Sequence, residues 1–244
     1  LTIAVDETVF QRQLQAEGIE LEDGDVIVIT QKIVSKAEGC LVKLDTVSPS
    51  PQAIPHADRT GKDPRLVDVI LRESRGVVRE RPGLIITETR HGWICANAGV
   101  DRSNIADPDA EVVLTLPLDP DASARCIRDR LQVNAELDGV PAPHIAVIIT
   151  DSHGRAWRLA AVNLAIGVAG MQPIADLRGQ ADRFGRTLQV TTVARADELA
   201  AAAGLLSGQA AEGLPVVIIR GADWPRGEGC ATDMQRPIEK DMFR

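Results

Sequence analysis

The 244-residue sequence lacks any long apolar run. A membrane-spanning helix needs roughly 20 consecutive apolar residues, and no stretch approaches that length. The basic and apolar pattern of a secretory signal is also missing, so we expect a cytoplasmic protein with no membrane partner. With 44% hydrophobic and 25% charged residues, the composition is ordinary for a globular protein. The length suits one large domain or two small ones.

Positive charge is scarce as well. The chain has 27 Lys and Arg against 35 Asp and Glu, which gives a net charge of −8. A general nucleic-acid binder gains affinity from many cationic contacts with phosphates, so this balance argues against nucleic acid as a partner. It does not exclude a nucleotide enzyme, because a few local cations can neutralise one triphosphate. The four cysteines form no CxxC pair, and we interpret them as buried thiols.

The common motifs of nucleotide and hydrolase chemistry are missing too. The sequence contains neither the GxxxxGK[ST] phosphate loop nor the GxGxxG dinucleotide fingerprint. It has no HExxH metal motif and no GxSxG nucleophile elbow, and its four histidines share no ligand spacing. Any phosphate or metal chemistry must therefore use a different arrangement of residues.

Short runs rich in Val and Ile predict strands, several of them buried on both faces because apolar and polar residues do not alternate. The predicted strands are residues 26–30, 84–87, 93–95, 112–116, 145–150, 188–193 and 216–219. Helices are predicted at 1–14, 66–75, 121–131 and from a capping Asp197 to residue 206, whereas 160–171 reads as a buried helix or a packed loop.

These elements do not alternate strictly along the chain. We therefore predict an α+β fold, with mixed sheets and helices in two intimately packed lobes, rather than a plain Rossmann or P-loop fold. Residues 1–244 are taken as a single domain. The segment 44–64 holds four prolines and is expected to be an exposed connection, either a lid or a linker. The helix at 1–14 starts without a cap, so a short N-terminal piece is expected to be missing.

Two segments place an aspartate just beyond a predicted strand. Asp101 lies in NAGVDRSN, and Asp151 lies in VIITDSHGR. Loops at that rim of a sheet leave backbone groups free for ligands. Carboxylates suit Mg²⁺ or Mn²⁺, which in turn bind phosphates. A structural alternative stays open, since each aspartate could simply cap a turn.

A third segment, GDVIVITQKIVSKAEG, carries Lys32 and Lys36 after a buried strand. Two cations beside a strand end can hold phosphates as point charges. Taken alone, an exposed lysine is more often a solvated charge.

With these segments, the sequence resembles the coenzyme F420 gamma-glutamyl ligase family. The resemblance also rests on four stretches between residues 116 and 221 and on the final residues, which follow the family order over nearly the whole chain: LPLDPDASA, VIITDSHGRAWR, ADRFGRTLQVT, ADELAAAAGLLSGQAAEGLPVVIIRG and EKDMFR. The last of these matches the end of the stand-alone form, without a fused flavin domain.

The resemblance implies a GTP-dependent amide ligase. Such enzymes activate a carboxylate of the coenzyme F420 precursor, as an acyl phosphate, and the amine of L-glutamate then attacks it. Further glutamates can follow through gamma linkages. The family uses two divalent ions, Mg²⁺ or Mn²⁺, to bridge the nucleotide phosphates, and it forms homodimers.

The resemblance also assigns residues. Asp101 and Asp151 correspond to catalytic metal-binding aspartates, with Ser152 and Gln209 as further metal-side residues. Nucleotide contacts are implied for Gln31, Lys32, Lys36 and Asn104, and for the loop 207–214, including Ser207, Gly208 and Gly213. The N-terminal Leu-Pro segment that contacts the nucleotide in the family is not present in this sequence.

Four arginines near the second aspartate could bind the anionic precursor or glutamate through paired hydrogen bonds. They are Arg155, Arg158, Arg178 and Arg186. Surface charge is the alternative for each. His153 is expected to face solvent rather than substrate. A metal-dependent nucleotide phosphohydrolase and a non-catalytic GTP-binding protein stay open as competing functions.

Overall fold

The computed structural model describes residues 18–103, 111–137, 139 and 141–242. Its central sheet has four strands: β1 (Val26–Thr30), β7 (Ala146–Arg155), β8 (Arg158–Ala169) and β11 (Val216–Ile219). The spatial order is β11-β1-β7-β8, with β1 and β7 parallel and the two outer strands antiparallel to their neighbours.

Helices cover both faces of this sheet. Val26 and Val28 pack in the cluster that includes α5 (Arg195–Ser207), whereas Ile27 and Ile29 pack in the cluster that includes α4 (Pro120–Leu137). Successive side chains of a strand point to opposite faces, so both faces of β1 need apolar residues. This is why apolar and polar residues do not alternate along β1.

A second region holds most of residues 41–114. Its three-stranded antiparallel sheet consists of β3 (Ser74–Arg81), β4 (Leu84–Thr89) and β5 (Ile94–Ala96). Two helices, α2 (Ala53–Thr60) and α3 (Pro64–Arg72), and a strand pair, β2 (Leu41–Lys43) with β6 (Val112–Leu114), complete it. Leu44, Ile70, Ile85 and Val113 form its separate core. Strand β4 alternates between buried and half-buried residues, as expected for a sheet covered on one face.

The remaining elements are short. The helix α1 (Gln31–Ala37) follows β1 directly, and β9 (Ile174–Asp176) pairs with β10 (Thr192–Ala194). Short 3₁₀ turns occur at Leu44–Thr46, Asn97–Gly99, Ala231–Met234 and Ile238–Lys240. No helix in the described part of the chain has the length and apolarity to cross a membrane.

The predicted α+β class is confirmed, and β1 and β11 have the predicted bounds. The strands predicted near residues 84, 93, 112 and 145 and the helices predicted near 66 and 121 are also confirmed, with shifted ends. The strand predicted at 188–193 is confirmed only at its end, where β10 begins at Thr192. The predicted helix at 1–14 lies outside the described residues.

Three predictions about local structure were wrong. Residues 160–171 form most of β8 rather than a helix or loop, and Gly167 lets this strand approach α4 so closely that a Cβ would overlap the Pro120 carbonyl. The 44–64 connection contains α2, which buries Ala53 and Ala57. Asp197 lies within the first turn of α5, where its carboxylate accepts a hydrogen bond from Ala165 N of β8 instead of capping the helix.

The four cysteines are free thiols, as predicted, but Cys95 alone is buried among them and Cys126 is exposed. Burial raises the pKa of Cys95 to about 12, and the nearby Asp151 carboxylate adds to this shift.

Candidate active site at the ends of the parallel strands

The register of β1 and β7 brings two of the predicted segments together. Thr30 pairs with Thr150, and the parallel pairing of β1 with β7 ends there. Helix α1 starts immediately after Thr30, whereas β7 continues and pairs Asp151 and Ser152 with β8. The prediction that Asp151 lies beyond the end of its strand was therefore wrong. The edge at which the parallel pairing ends is where open sheets containing parallel strands bind ligands.

A cleft of about 380 Å³ opens at this edge. Its lining includes nine of the residues predicted from the sequence: Gln31, Lys32, Lys36, Asp151, Ser152, Ser207, Gly208, Gln209 and Gly213. These nine residues come from three segments that are more than 50 residues apart in sequence, and Asn163 of β8 completes the lining.

Asp101 reaches this site from the second region. The 3₁₀ turn before it has left-handed backbone at Asn97 and Ala98, with φ of 54° and 55°. Asp101 is then fixed by two backbone hydrogen bonds with Leu114, of 3.0 and 2.8 Å. Left-handed backbone is costly for residues other than glycine, so this turn depends on the surrounding packing.

Lys32 connects the two regions. Its Nζ lies 2.8 Å from Asp101 Oδ2, and it also donates a hydrogen bond to Ser103 Oγ. Ser103 in turn donates from its backbone N and its hydroxyl to the Asp101 carboxylate, both at 2.8 Å. Partial burial raises the pKa of Asp101, but the hydrogen bonds from Lys32 and Ser103 outweigh it and hold the pKa below its usual value. Asp101 is therefore a carboxylate at neutral pH.

Asp151 has the opposite electrostatic character. Burial raises its pKa, and the negative charge of nearby Asp101 raises it further, while His153 and Lys32 act to lower it. Two neighbouring carboxylates, both half-buried, repel each other unless a cation lies between them. This charge arrangement favours binding of a divalent cation.

Three uncharged oxygens converge beside Asp151. Ser152 Oγ lies 2.6 Å from Gln209 Oε1 and 3.1 Å from Asn163 Oδ1. The serine hydroxyl has one proton, so it can donate to only one of these two oxygens. Gln209 Nε2 donates to Asn163 Oδ1 at 2.6 Å. Oxygen ligands of this kind suit Mg²⁺ or Mn²⁺.

The aspartates do not form a complete metal cage. Among the residues that the structure describes, no group of three or more His, Cys, Asp or Glu could hold an ion. Mg²⁺ is commonly bound by one or two carboxylates together with water and substrate phosphates, so the two aspartates and the nearby oxygens fit such an ion.

The loop after α5 closes the cleft. Gly208 adopts φ 66° and ψ −165°, a conformation essentially limited to glycine. A Cβ at this position would collide with the Glu212 carboxylate, which accepts a hydrogen bond from Ala210 N at 2.8 Å. Ser207 Oγ is buried without a hydrogen-bond partner among the described residues. This loop therefore presents a strained turn and an unsatisfied hydroxyl to the cleft.

Gln31 is almost fully buried, and its amide Nε2 donates to Ser35 Oγ at 2.6 Å and to Thr115 O at 3.2 Å. This side chain therefore also connects α1 to the segment after β6. Asn104 lies outside the described residues.

The four predicted substrate arginines line neither the cleft nor the second cavity described below. Arg155 and Arg158 end the strands β7 and β8 at their shared hairpin. Arg178 pairs with Asp176, with its Nη2 2.5 Å from Oδ2, and Arg186 is exposed on the following loop. Substrate binding by these residues stays a prediction.

His153 was predicted to face solvent, and this is wrong. It is only 4% exposed, because it lies on β7 where that strand packs against β8 and the region around Trp93. Sequence reasoning also missed Asn163 and Ser103. Asn163 is the single polar residue between Ala160 and Met171, a signal that could have been used.

Comparisons with known proteins identify the family of this chain. Residues 5–221 match the family of F420-0:Gamma-glutamyl ligases. The Coenzyme F420:L-glutamate ligase of Methanothermobacter thermautotrophicus is 50% identical over 95% of this chain and 89% of the relative. The protein of the same name from Methanopyrus kandleri is 51% identical over 95% of this chain and 90% of its own length. That from Methanocaldococcus jannaschii is 47% identical over 92% of this chain and 86% of its own length. The chain therefore belongs to the F420-0:gamma-glutamyl ligase family.

Proposed function

We propose that this protein is a GTP- and divalent-metal-dependent ligase that joins L-glutamate to a carboxylate of the coenzyme F420 precursor. The observation that carries the proposal is that Asp151 and Lys32 line one cleft and Asp101 forms an ion pair with Lys32 beside it, in a chain of this family. Its relatives are named for the same reaction. Further gamma-linked glutamates would use the same site.

Two divalent ions, Mg²⁺ or Mn²⁺, would be held by Asp101, Asp151, Ser152 and Gln209, with Asn163 as an additional oxygen ligand or support. Such ions offset the charge that develops on transferring phosphates. The raised pKa of Asp151 and the convergence of the Ser152, Asn163 and Gln209 oxygens beside it support this assignment.

The GTP phosphates would lie between Lys32, Lys36 and the loop 207–214. Both lysines line the cleft and supply positive charge, and the Ser207 hydroxyl is available as a donor. Gln31 and Asn104 are proposed to contact the nucleotide as well.

In the proposed reaction, a carboxylate oxygen of the precursor attacks the γ-phosphorus, and the bond from that phosphorus to the bridging oxygen of GDP breaks. The products are an acyl phosphate and GDP. The amine of L-glutamate then attacks the acyl carbon, loses a proton, and expels inorganic phosphate. The residues of the cleft orient the reactants and oppose the negative charge.

Two further parts of the proposal concern surfaces outside the cleft. Arg155, Arg158, Arg178 and Arg186 would bind anionic groups of the precursor or of glutamate. Large apolar side chains near them are exposed, with Trp157 88%, Leu159 95% and Phe184 91% exposed. Exposed apolar surface can mark an interaction site, which supports a homodimer that covers these side chains. A cytoplasmic location is part of the same proposal.

The test is a reaction with GTP, Mg²⁺ or Mn²⁺, L-glutamate and the glutamate-free precursor, with the products analysed by mass spectrometry. We expect a product heavier by one or more glutamyl units, and its loss in Asp101→Asn and Asp151→Asn. GTP hydrolysis without a glutamyl product would support a phosphohydrolase instead. Bound nucleotide without turnover would support a GTP-binding protein.

A further inference from the structure

A second cavity, of about 290 Å³, lies beside the edge strand β8. Leu164, Ala165 and Ile166 of β8 form one wall. The opposite side is formed by the segment around Trp93 and by residues 231–241. None of the residues that line the first cleft also lines this cavity, so the two are separate binding volumes.

His153 is the polar group that this cavity leaves unsatisfied. The side chain is 4% exposed, and its Nε2 is buried with no hydrogen-bond partner among the described residues. The other ring nitrogen, Nδ1, lies 3.4 Å from the Asp151 carbonyl oxygen. A buried ring nitrogen without a partner is costly unless a ligand or water satisfies it.

Opposite charges flank this histidine. The Asp197 carboxylate lies in the first turn of α5, where Oδ1 accepts a hydrogen bond from Ala165 N at 2.9 Å and leaves the second oxygen for another donor. The exposed Arg236 contributes a guanidinium to the other side of the cavity, and Asp241 contributes a second carboxylate. Leu164, Ile166 and Met234 supply apolar surface between them.

This combination of groups selects a particular ligand chemistry. A guanidinium binds a carboxylate through paired hydrogen bonds, and a carboxylate binds an ammonium group. The apolar wall can pack against a short aliphatic chain. A volume at the lower end of ligand pockets suits a small zwitterion.

The cavity is also placed close to the proposed reaction site. Asp151 lines the first cleft, and His153 lines the second, two residues further along β7. Two residues of a strand span roughly 7 Å. A small amine donor held at His153 would therefore lie near the acyl group activated in the first cleft.

We propose that this second cavity binds the amino-acid substrate, with a carboxylate at Arg236, the ammonium group near Asp197 and a further polar contact at His153 Nε2. The proposal rests on the proposed ligase function, because it identifies L-glutamate as the ligand. It assigns recognition of the amine donor to the region between β8 and residues 231–241.

Binding can be measured without turnover through Trp93, which lines the cavity. Protein labelled with 5-fluorotryptophan gives fluorine resonances for Trp93, Trp157 and Trp224, and Trp93→Phe assigns the first. Titration with L-glutamate, with and without a non-hydrolysable GTP analogue and Mg²⁺, should shift the Trp93 resonance. Trp224, which lines neither cavity, serves as the internal control and should not move.

Variants then test the assigned contacts. Arg236→Ala should weaken L-glutamate binding roughly 10- to 100-fold, the effect of losing a charge-assisted pair. Arg81→Ala, an exposed arginine on β3, is the matched control and should bind as the parent does. Glutarate, which lacks the ammonium group, should bind more weakly than L-glutamate. Asp197 is left intact because its carboxylate also holds Ala165 N.

Kinetics provide a second readout. In Arg236→Ala the KM for L-glutamate should rise by a similar factor, with the KM for GTP unchanged. The inference is overturned if L-glutamate leaves the Trp93 resonance unmoved both with and without nucleotide, or if Arg236→Ala and Arg81→Ala bind equally. A shifted Trp93 resonance in a protein that forms no glutamyl product would instead contradict the ligase proposal while supporting the cavity as an amino-acid site.

Discussion

The two aspartates at the site are held by regions that fold in different ways. Asp151 extends from a parallel strand pair buried on both faces, whereas Asp101 follows a left-handed turn in the region built on a one-sided antiparallel sheet. Burial raises the pKa of Asp151, while Lys32 and Ser103 lower that of Asp101. The central sheet thus carries Asp151, whose negative charge is unfavourable at this position. The ion pair with Lys32 positions Asp101.

One site can therefore combine a group selected for function with a group that also stabilises the fold. Asp101 connects its region to α1, so its replacement has a structural cost. Asp151 gains little from its protein surroundings, which argues that its role is to bind a cation. Replacing the two aspartates one at a time separates these roles.

The largest expected effect is on activity. Asp101→Asn and Asp151→Asn should each lower the rate of glutamyl product formation roughly 100- to 1,000-fold, because each loses several kcal/mol of stabilisation of transferring charge. Initial rates by mass spectrometry at saturating GTP measure this. Asp45→Asn, an exposed carboxylate that lines neither cavity, is the control and should be fully active. Full activity in either aspartate variant would contradict the proposal that Asp101 and Asp151 act at one site.

Asn163→Ala should raise the Mg²⁺ concentration needed for half-maximal activity roughly 10- to 100-fold, as for other residues that orient metal ligands. The physical reason is that Asn163 Oδ1 is the common partner of Ser152 and Gln209. Magnesium titration of the initial rate provides the measurement. An unchanged titration curve would show that the three oxygens play no part in cation binding.

Gly208→Ala should weaken GTP binding, since the alanine would add about 1–3 kcal/mol of backbone strain and displace Glu212. Gly76→Ala is the matched control, because Gly76 has no left-handed backbone and has open space where the added methyl group would lie. Nucleotide titration by calorimetry compares the two variants. Equal affinity in both would exclude a nucleotide role for the turn.

The two aspartates should differ in their effect on stability without metal. At pH 7 with a chelator present, Asp101→Asn should lower the free energy of unfolding by up to about 1 kcal/mol, since a partly exposed ion pair is worth that much. Asp151→Asn should leave stability unchanged or raise it. Denaturant melts report both values. A large loss of stability in Asp151→Asn would contradict the proposed difference between the two aspartates.

The pH dependence of these melts follows from the signs of the shifts. The lowered pKa of Asp101 means that its contribution is fully present above the ordinary aspartate pKa of 3.8 and is lost as pH falls through the lower folded value. The raised pKa of Asp151 has the opposite effect on the free energy of unfolding, which falls as pH rises from the ordinary pKa through the raised value. The stability difference between Asp151→Asn and the parent should therefore grow in favour of the variant as pH rises.

The last expected effect concerns the stability of the second region alone. Asp63 caps α3 by accepting a hydrogen bond from Arg65 N at 2.8 Å, so Asp63→Ala should destabilise the protein by about 1 kcal/mol. Activity at a temperature well below the melting point should stay at the parent value. A large loss of activity would show that α3 affects the site more directly than this account holds.

The central sheet was easier to predict from the sequence than the rest of the fold. β1 and β11 are apolar runs bounded by polar turns, so their ends are visible in the sequence. Strand β8 was missed because its small residues, including Gly167, resemble a helix or loop until the close contact with α4 is known. Helix α2 was missed because prolines suggest a loop, although Pro55 lies in the first turn, where proline is tolerated.

The site was predicted in the same uneven way. Residues within recognisable segments, such as Lys32 and Asp151, were found and lie at the same cleft. Asn163 and His153 were not, because their roles depend on the pairing of β7 with β8 and on burial, which no local pattern reveals.

The measurement that tests the central claim most directly follows one oxygen atom. The precursor carboxylate is labelled with oxygen-18, and the inorganic phosphate released with GTP, Mg²⁺ and L-glutamate is analysed by mass spectrometry. If the cleft activates the carboxylate as an acyl phosphate, labelled oxygen appears in the phosphate in step with the glutamyl product. Phosphate whose new oxygen comes only from water would mean simple GTP hydrolysis and would contradict the account.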